Sequence, residues 1–104
     1  MPTPQQLDTF TLMFHRRALV RLRQEPALIH RAIETLDRWK LQRGETASEP
    51  YFERWRSLLL QGLDAVQLGV CSDTVDAATL RNVSPLGFVL TAAERSSLRE
   101  QVIG

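Results

Sequence analysis

The sequence predicts an all-α fold, a compact bundle of five to six helices, and three observations carry that prediction. Apolar residues recur three and four positions apart along most of the chain. Thr-x-x-Gln and Thr-x-x-Glu, the reciprocal signatures of a helix start, stand at Thr3 and Thr91. The alternation of a half-buried strand occurs only between Gly87 and Leu90, too short a run to build a sheet. The expected layout is a long antiparallel N-terminal hairpin followed by shorter helices, in a single domain over residues 1–104.

The first helix opens at Thr3-Pro4-Gln5-Gln6, where the Thr3 hydroxyl accepts from the Gln6 amide and Pro4 has no amide to leave unpaired. Leu7, Phe10, Phe14, Ala18 and Leu22 then line one face, with Arg16 and Arg23 opposite. Leu12 and Leu19 make a second apolar stripe with His15 beside it, so this helix is either sandwiched between neighbours or lends that stripe to a second copy in a homodimer. Pro26 disfavours helix at Glu25 and is read as the start of helix two, which Gly44 closes. Leu28, Ile29, Ala32, Ile33, Leu36 and Trp39 form its wide apolar face. So short a link between two long helices predicts the hairpin.

Residues 44–49 read as a connection. Ser48 and Pro50 start a third helix along which Tyr51, Phe52, Trp55, Leu58 and Leu59 recur at helical spacing before Gly62 stops it, with Tyr51 set apart from the aromatic core. A fourth, following Asp64, buries Val66, with Leu68 and Val70 as further candidates. Asp73 is the expected cap of a fifth, with Val75 and Ala78 facing inward and Val83 a further candidate. The last helix follows Thr91 and carries Leu98 and Val102.

Composition narrows the function classes. With 104 residues, 43% of them apolar and 24% charged, the chain is expected to fold around one core, with little surface left to wall off a deep catalytic pocket. No apolar run approaches the roughly 18 residues of a membrane span, and the first residues lack a secretion signal, so a cytoplasmic location without membrane association is expected. The net charge of +1 conceals a division. Residues 1–43 hold eight Lys or Arg against four acids, and the remainder five against eight.

Each candidate chemistry has a simpler reading beside it. His15 and His30 stand fifteen residues apart with no Cys or carboxylate cluster at ligand spacing, so both are expected on helix surfaces and no metal or other cofactor is expected. Asp73 with Asp76, and Glu49 with Glu53, fall in first helical turns, where the helix dipole favours negative charge without any catalytic role. Cys71, the single cysteine, has no basic neighbour in sequence and reads as a small buried apolar residue. No serine sits in an elbow motif and no Gly-rich loop resembles a phosphate cradle, so no enzyme is expected.

Two binding surfaces stand out instead. Arg16, Arg17, Arg21, Arg23 and Arg31 concentrate on the first two helices and offer a basic face to a partner, or to nucleic acid as the alternative. The segment from Ser84 to Leu90 puts Leu86, Phe88, Val89 and Leu90 on a connection, where exposed residues are ordinarily polar. Either it tucks back to plug the core, the preferred reading, or it presents an apolar patch.

The chain also resembles a group of small bacterial helical proteins associated with toxin and antitoxin gene pairs. The matching residues are His15-Arg16-Arg17-Ala18, Glu25-Pro26-Ala27-Leu28, Asp37-Arg38-Trp39, Tyr51-Phe52-Glu53-Arg54-Trp55, and above all the run from Leu80 to Thr91 followed by Glu94-Arg95. The family's late segment reads Leu-Arg-Gln-Ser-Ser-Pro-Phe-Ala-Gly-Val-Leu, from which this chain departs at Asn82, Val83, Leu86, Gly87 and Phe88. The resemblance implies an antitoxin-like domain that binds a protein partner such as a toxin. Family members sometimes follow a DNA-binding helix-turn-helix; none is read ahead of the matched segment here, so promoter autoregulation is not part of the expectation. The residues expected to bind the partner are Leu86, Phe88, Leu90 and Arg95, with Arg16 and Arg23 as a second surface.

Overall fold

A computed structural model describes residues 1–44 and 46–104; Glu45, inside the predicted 44–49 connection, lies outside the described residues. Among the described residues there are six α-helices, one 3-10 turn and no strand. The helices are α1 (Pro4–Gln24), α2 (Leu28–Arg43), α3 (Glu49–Gln61), α4 (Leu63–Val70), α5 (Val75–Asn82) and α6 (Ala92–Ile103), with the 3-10 turn at Pro85–Phe88.

The predicted starts of α1 and α6 are both present as reciprocal boxes. Gln6 N donates to Thr3 Oγ1 at 3.1 Å while Thr3 N donates to Gln6 Oε1 at 2.8 Å. Thr91 and Glu94 repeat the pattern at 3.1 and 3.0 Å. Such caps satisfy amides that have no partner within the helix, at about 1 kcal/mol each. Gly62 is both the end of α3 and the lead into α4, with φ at +125°, a conformation that side chains strain to adopt. Three boundaries differ from the prediction, the first being that α4 starts at Leu63, with Asp64 inside its first turn. Pro26 lies in a tight turn ahead of α2, in which the Leu28, Ile29 and His30 amides each donate three residues back. Thr74, not Asp73, caps α5, its Oγ1 accepting from Ala77 N at 3.1 Å.

The N-terminal hairpin is corrected by the packing. α1 packs against α6, α4 and α5, whereas α2 packs against α3 and the 3-10 turn. The physical reason is that α1 already has neighbours for its apolar sides, burying Phe14, Ala18, Leu19 and Leu22 among them. α2 buries fully only Ala32 and Leu36, and finds its cover on α3 and the turn. The sandwiched reading of α1 therefore holds. Leu19 is buried inside the chain and Leu12 is partly covered, so the dimer stripe expected from this pair is not a free surface.

Trp55 marks the centre of the core. It is 0% exposed, and its Nε1 donates to the Leu80 carbonyl at 2.8 Å, tying α3 to the end of α5. The core around it draws residues from all six helices and from the segment after α5. Val75, expected inward, is 83% exposed, because α5 turns Ala77 and Leu80 to the core instead; Leu68 on α4 is likewise exposed. No helix among the described residues is long and apolar enough to cross a membrane.

Candidate functional site

The segment after α5 decides how the surface is shaped. Leu86 is 0% exposed and Leu90 5%, and Val89 is buried with them, so the run is a plug that closes the core and not an apolar patch. Leu86 and Leu90 are corrected accordingly: turned into the core, they are not available to a partner. Phe88 is half-buried, with the Arg31 guanidinium 4.4 Å above its ring, a cation–π contact that links the turn to α2.

The plug is anchored by a polar chain that nothing in the local sequence reveals. His15, expected on a surface, is 2% exposed. Its Nδ1 lies 2.6 Å from the Thr11 carbonyl and its Nε2 2.7 Å from Ser84 Oγ, 69 residues away. A carbonyl can only accept, so Nδ1 carries the proton and Nε2 accepts from the Ser84 hydroxyl. Ser84 Oγ in turn accepts from the Leu86 amide at 3.1 Å, capping the 3-10 turn. Burial pushes the His15 pKa down to about 4, against the raising effect of the Thr11 hydrogen bond and with some help from the charge of Arg81. The imidazole is therefore neutral near pH 7.

A serine hydroxyl on a histidine nitrogen is also the start of a nucleophilic pair, and the geometry weighs against that use. A general base must become imidazolium, and a pKa near 4 makes that costlier by about 3 kcal/mol than for a solvated histidine. Nδ1 meets a carbonyl and not the carboxylate that would stabilise the cation. The Leu86 amide already bonds Ser84 Oγ and is not free to receive an oxyanion.

Beside this anchor lies a cleft of about 250 Å³. One face of α1 supplies its aromatic side through Phe10 and Phe14, with His15 and Thr11. Arg81 and Asn82 enter from the end of α5, Ser84 and Gly87 from the plug, and Arg95 from α6. The two arginines are held differently. The Arg81 side chain is 2% exposed; it donates to the Val70 and Ser72 carbonyls at 2.7 and 3.2 Å and to Asp8 Oδ1 at 2.9 Å. It thereby caps the end of α4, where no glycine cap exists, and clips it to α1. Its Nε has no acceptor among the described residues. Arg95 is exposed, donates to the Gly87 carbonyl and stands 5.4 Å from the Phe14 ring centre. Among the described residues no carboxylate pairs with it.

The basic face of α1 is largely spent within the molecule. Arg23 pairs with Asp64 at 2.9 Å and donates to Gln67 at 3.1 Å, Arg21 pairs with Glu94 at 2.7 Å, and Arg17 donates to Gln101 at 3.3 Å. Arg16 is exposed and without an ion pair among the described residues. The structure thus brings Arg95 to the plug, places Phe88 on its other flank beneath Arg31, and leaves Arg16 and Arg23 on α1 in different settings. Among the described residues there is no group of three or more His, Cys, Asp or Glu side chains placed to hold a metal ion. Cys71 is half-buried, and burial pushes its thiol pKa up.

Comparison with protein-family models, with curated proteins and with solved structures finds no match to this chain.

Proposed function

We propose that this chain is a protein-binding module, antitoxin-like in that it works by holding a protein partner, and that the cleft beside the plug is the point of contact. The observation that supports this reading is the state of Arg95. It sits at the rim of an aromatic cleft, exposed, with no carboxylate of its own among the described residues, while the ionisable His15 beside it is neutral and has both nitrogens occupied. An exposed guanidinium beside the half-buried Phe10 and the buried Phe14 ring at the cleft wall is the kind of arginine and aromatic pairing in which protein-interaction hot spots are enriched. Phe88 with Arg31 forms the neighbouring flank.

Nucleic-acid binding finds less support, because Arg17, Arg21, Arg23 and Arg31 already have partners inside the molecule. Catalysis by Ser84 and His15 finds less support for the reasons of proton affinity and geometry given above.

The test is affinity capture from the native host with the wild-type chain and with Arg95→Glu side by side, followed by reconstitution with the purified partner. The expected result is a stoichiometric partner held by the wild type and lost by the variant, whose circular dichroism and melting temperature stay close to wild type. A partner held equally by both, or no stoichiometric partner at all, contradicts the reading.

A further inference from the structure

We infer that the cleft receives a carboxylate, supplied by an acidic side chain that stands next to an apolar residue in a peptide segment of the partner. This rests on the protein-binding reading above and adds the chemistry of what is bound. Three observations carry it.

The first is charge. Two guanidiniums, Arg81 and Arg95, line the cleft, and among the described residues the carboxylate bonded to them is Asp8, on an Nη of Arg81. His15 adds no positive charge and no negative one, since its imidazole is neutral. One positive charge is left without a counter-ion, and it belongs to the more accessible arginine. The second is the state of Arg81, whose side chain is 2% exposed yet keeps an Nε without an acceptor among the described residues. The Asp8 carboxylate balances the charge of this guanidinium, and what it still lacks is one hydrogen-bond acceptor, for its Nε. The third is shape. About 250 Å³ is below the size of a cofactor or drug-sized ligand site and suits one anchoring side chain with its neighbour. Phe10 and Phe14 offer that neighbour an apolar wall, and Asn82, exposed at the rim, has no hydrogen bond from its amide among the described residues. Arg95, held by the Gly87 carbonyl and laid near the Phe14 ring, is already positioned, so little side-chain freedom is lost when a carboxylate binds.

The full chain, labelled with nitrogen-15, is titrated with two peptides, acetyl-Phe-Glu-amide and acetyl-Phe-Gln-amide, which share shape and differ in the carboxylate. The expected result is saturable shifts at the Gly87 and Asn82 amides and the Arg95 side chain, with binding of the Glu peptide in the millimolar range. The Gln peptide binds roughly tenfold more weakly or less, as the loss of a charge-assisted hydrogen bond requires. Arg95→Gln reduces the Glu peptide to the level of the Gln peptide, while Arg99→Gln, one turn further along α6 and outside the cleft, leaves it unchanged. Equal affinity for the two peptides, shifts confined to another face, or no shifts up to about 10 mM peptide overturn the inference. The two proposals fail separately. A partner lost by Arg95→Glu alongside indifference to the peptide charge sinks the carboxylate alone. A charge-selective cleft alongside a partner that Arg95→Glu still holds sinks the cleft as the partner's contact.

Discussion

Lowering the pH should destabilise this protein through His15 well before its carboxylates titrate, and the size of the effect follows from the site. The folded-state pKa is pushed down to about 4 by burial, against an ordinary value of 6.5. Between those two values the unfolded chain binds a proton at this residue and the folded chain does not. Stability therefore rises with pH across that window, and is lost as pH falls from 6.5 toward 4, with a slope approaching 1.4 kcal/mol per pH unit. From pH 7 to pH 5 the loss attributable to His15 is about 2 kcal/mol. The assay is urea unfolding followed by tryptophan fluorescence at both pH values, on the wild type and on His15→Gln. The variant is less stable throughout, but its pH dependence in this window should be shallower by that same amount. Glu94, whose pKa is lowered from 4.5 chiefly by its bond from the Thr91 amide, acts in the same direction once the pH falls below 4.5, outside the comparison between pH 7 and pH 5. A wild-type protein equally or more stable at pH 5 would mean that the imidazole is charged when folded, and would refute the Ser84 anchor as drawn.

Other substitutions probe the same architecture. Ser84→Ala removes the donor to buried His15 Nε2 and the cap on the Leu86 amide together, so chemical denaturation should show a loss of about 2 to 3 kcal/mol. Asp8→Asn leaves the buried Arg81 guanidinium without its counter-charge; because Asp8 is itself exposed, the loss in thermal stability should be modest, about 1 to 2 kcal/mol, and should shrink as salt is added. Trp55→Phe deprives the Leu80 carbonyl of its donor and leaves a void at the centre of the core, costing about 2 to 4 kcal/mol by denaturant titration. Phe88→Ala, on a half-buried ring, should keep the helical circular dichroism of the wild type and lower stability by about 1 to 2 kcal/mol; collapse of the fold would show Phe88 to be indispensable to the plug.

What the sequence revealed and what it hid divide along sequence distance. Thr3 with Gln6 and Thr91 with Glu94 are read directly, because a capping box is complete within four residues. Gly62 is read as a stop for the same local reason. The cap of α5 is misplaced by one residue because Asp73 and Thr74 are both good caps, and backbone geometry selects between them. Val75 is misassigned because an eight-residue helix has too few apolar positions to fix its rotation without its neighbours. The hairpin fails on a different ground. Adjacency of α1 and α2 in sequence predicts their packing only when neither has a better partner, and α1 has three. The plug is legible because Leu86, Val89 and Leu90 are too apolar for an exposed connection, yet the side chain that secures it is not. His15 and Ser84 lie 69 residues apart, and no periodicity joins them. Arg81 is hidden likewise: its acceptors are carbonyls at the end of α4 and a carboxylate on α1.

The cleft exists only if the segment after Asn82 docks through Ser84 onto a neutral His15. The most direct measurement is nitrogen-15 NMR of the His15 ring near pH 6.5. A protonated Nδ1 and a bare, hydrogen-bonded Nε2 are predicted, unchanged as the sample is acidified to about pH 5. An imidazolium at pH 6.5, or a proton resting on Nε2, would contradict the docking and with it the shape of the proposed binding surface.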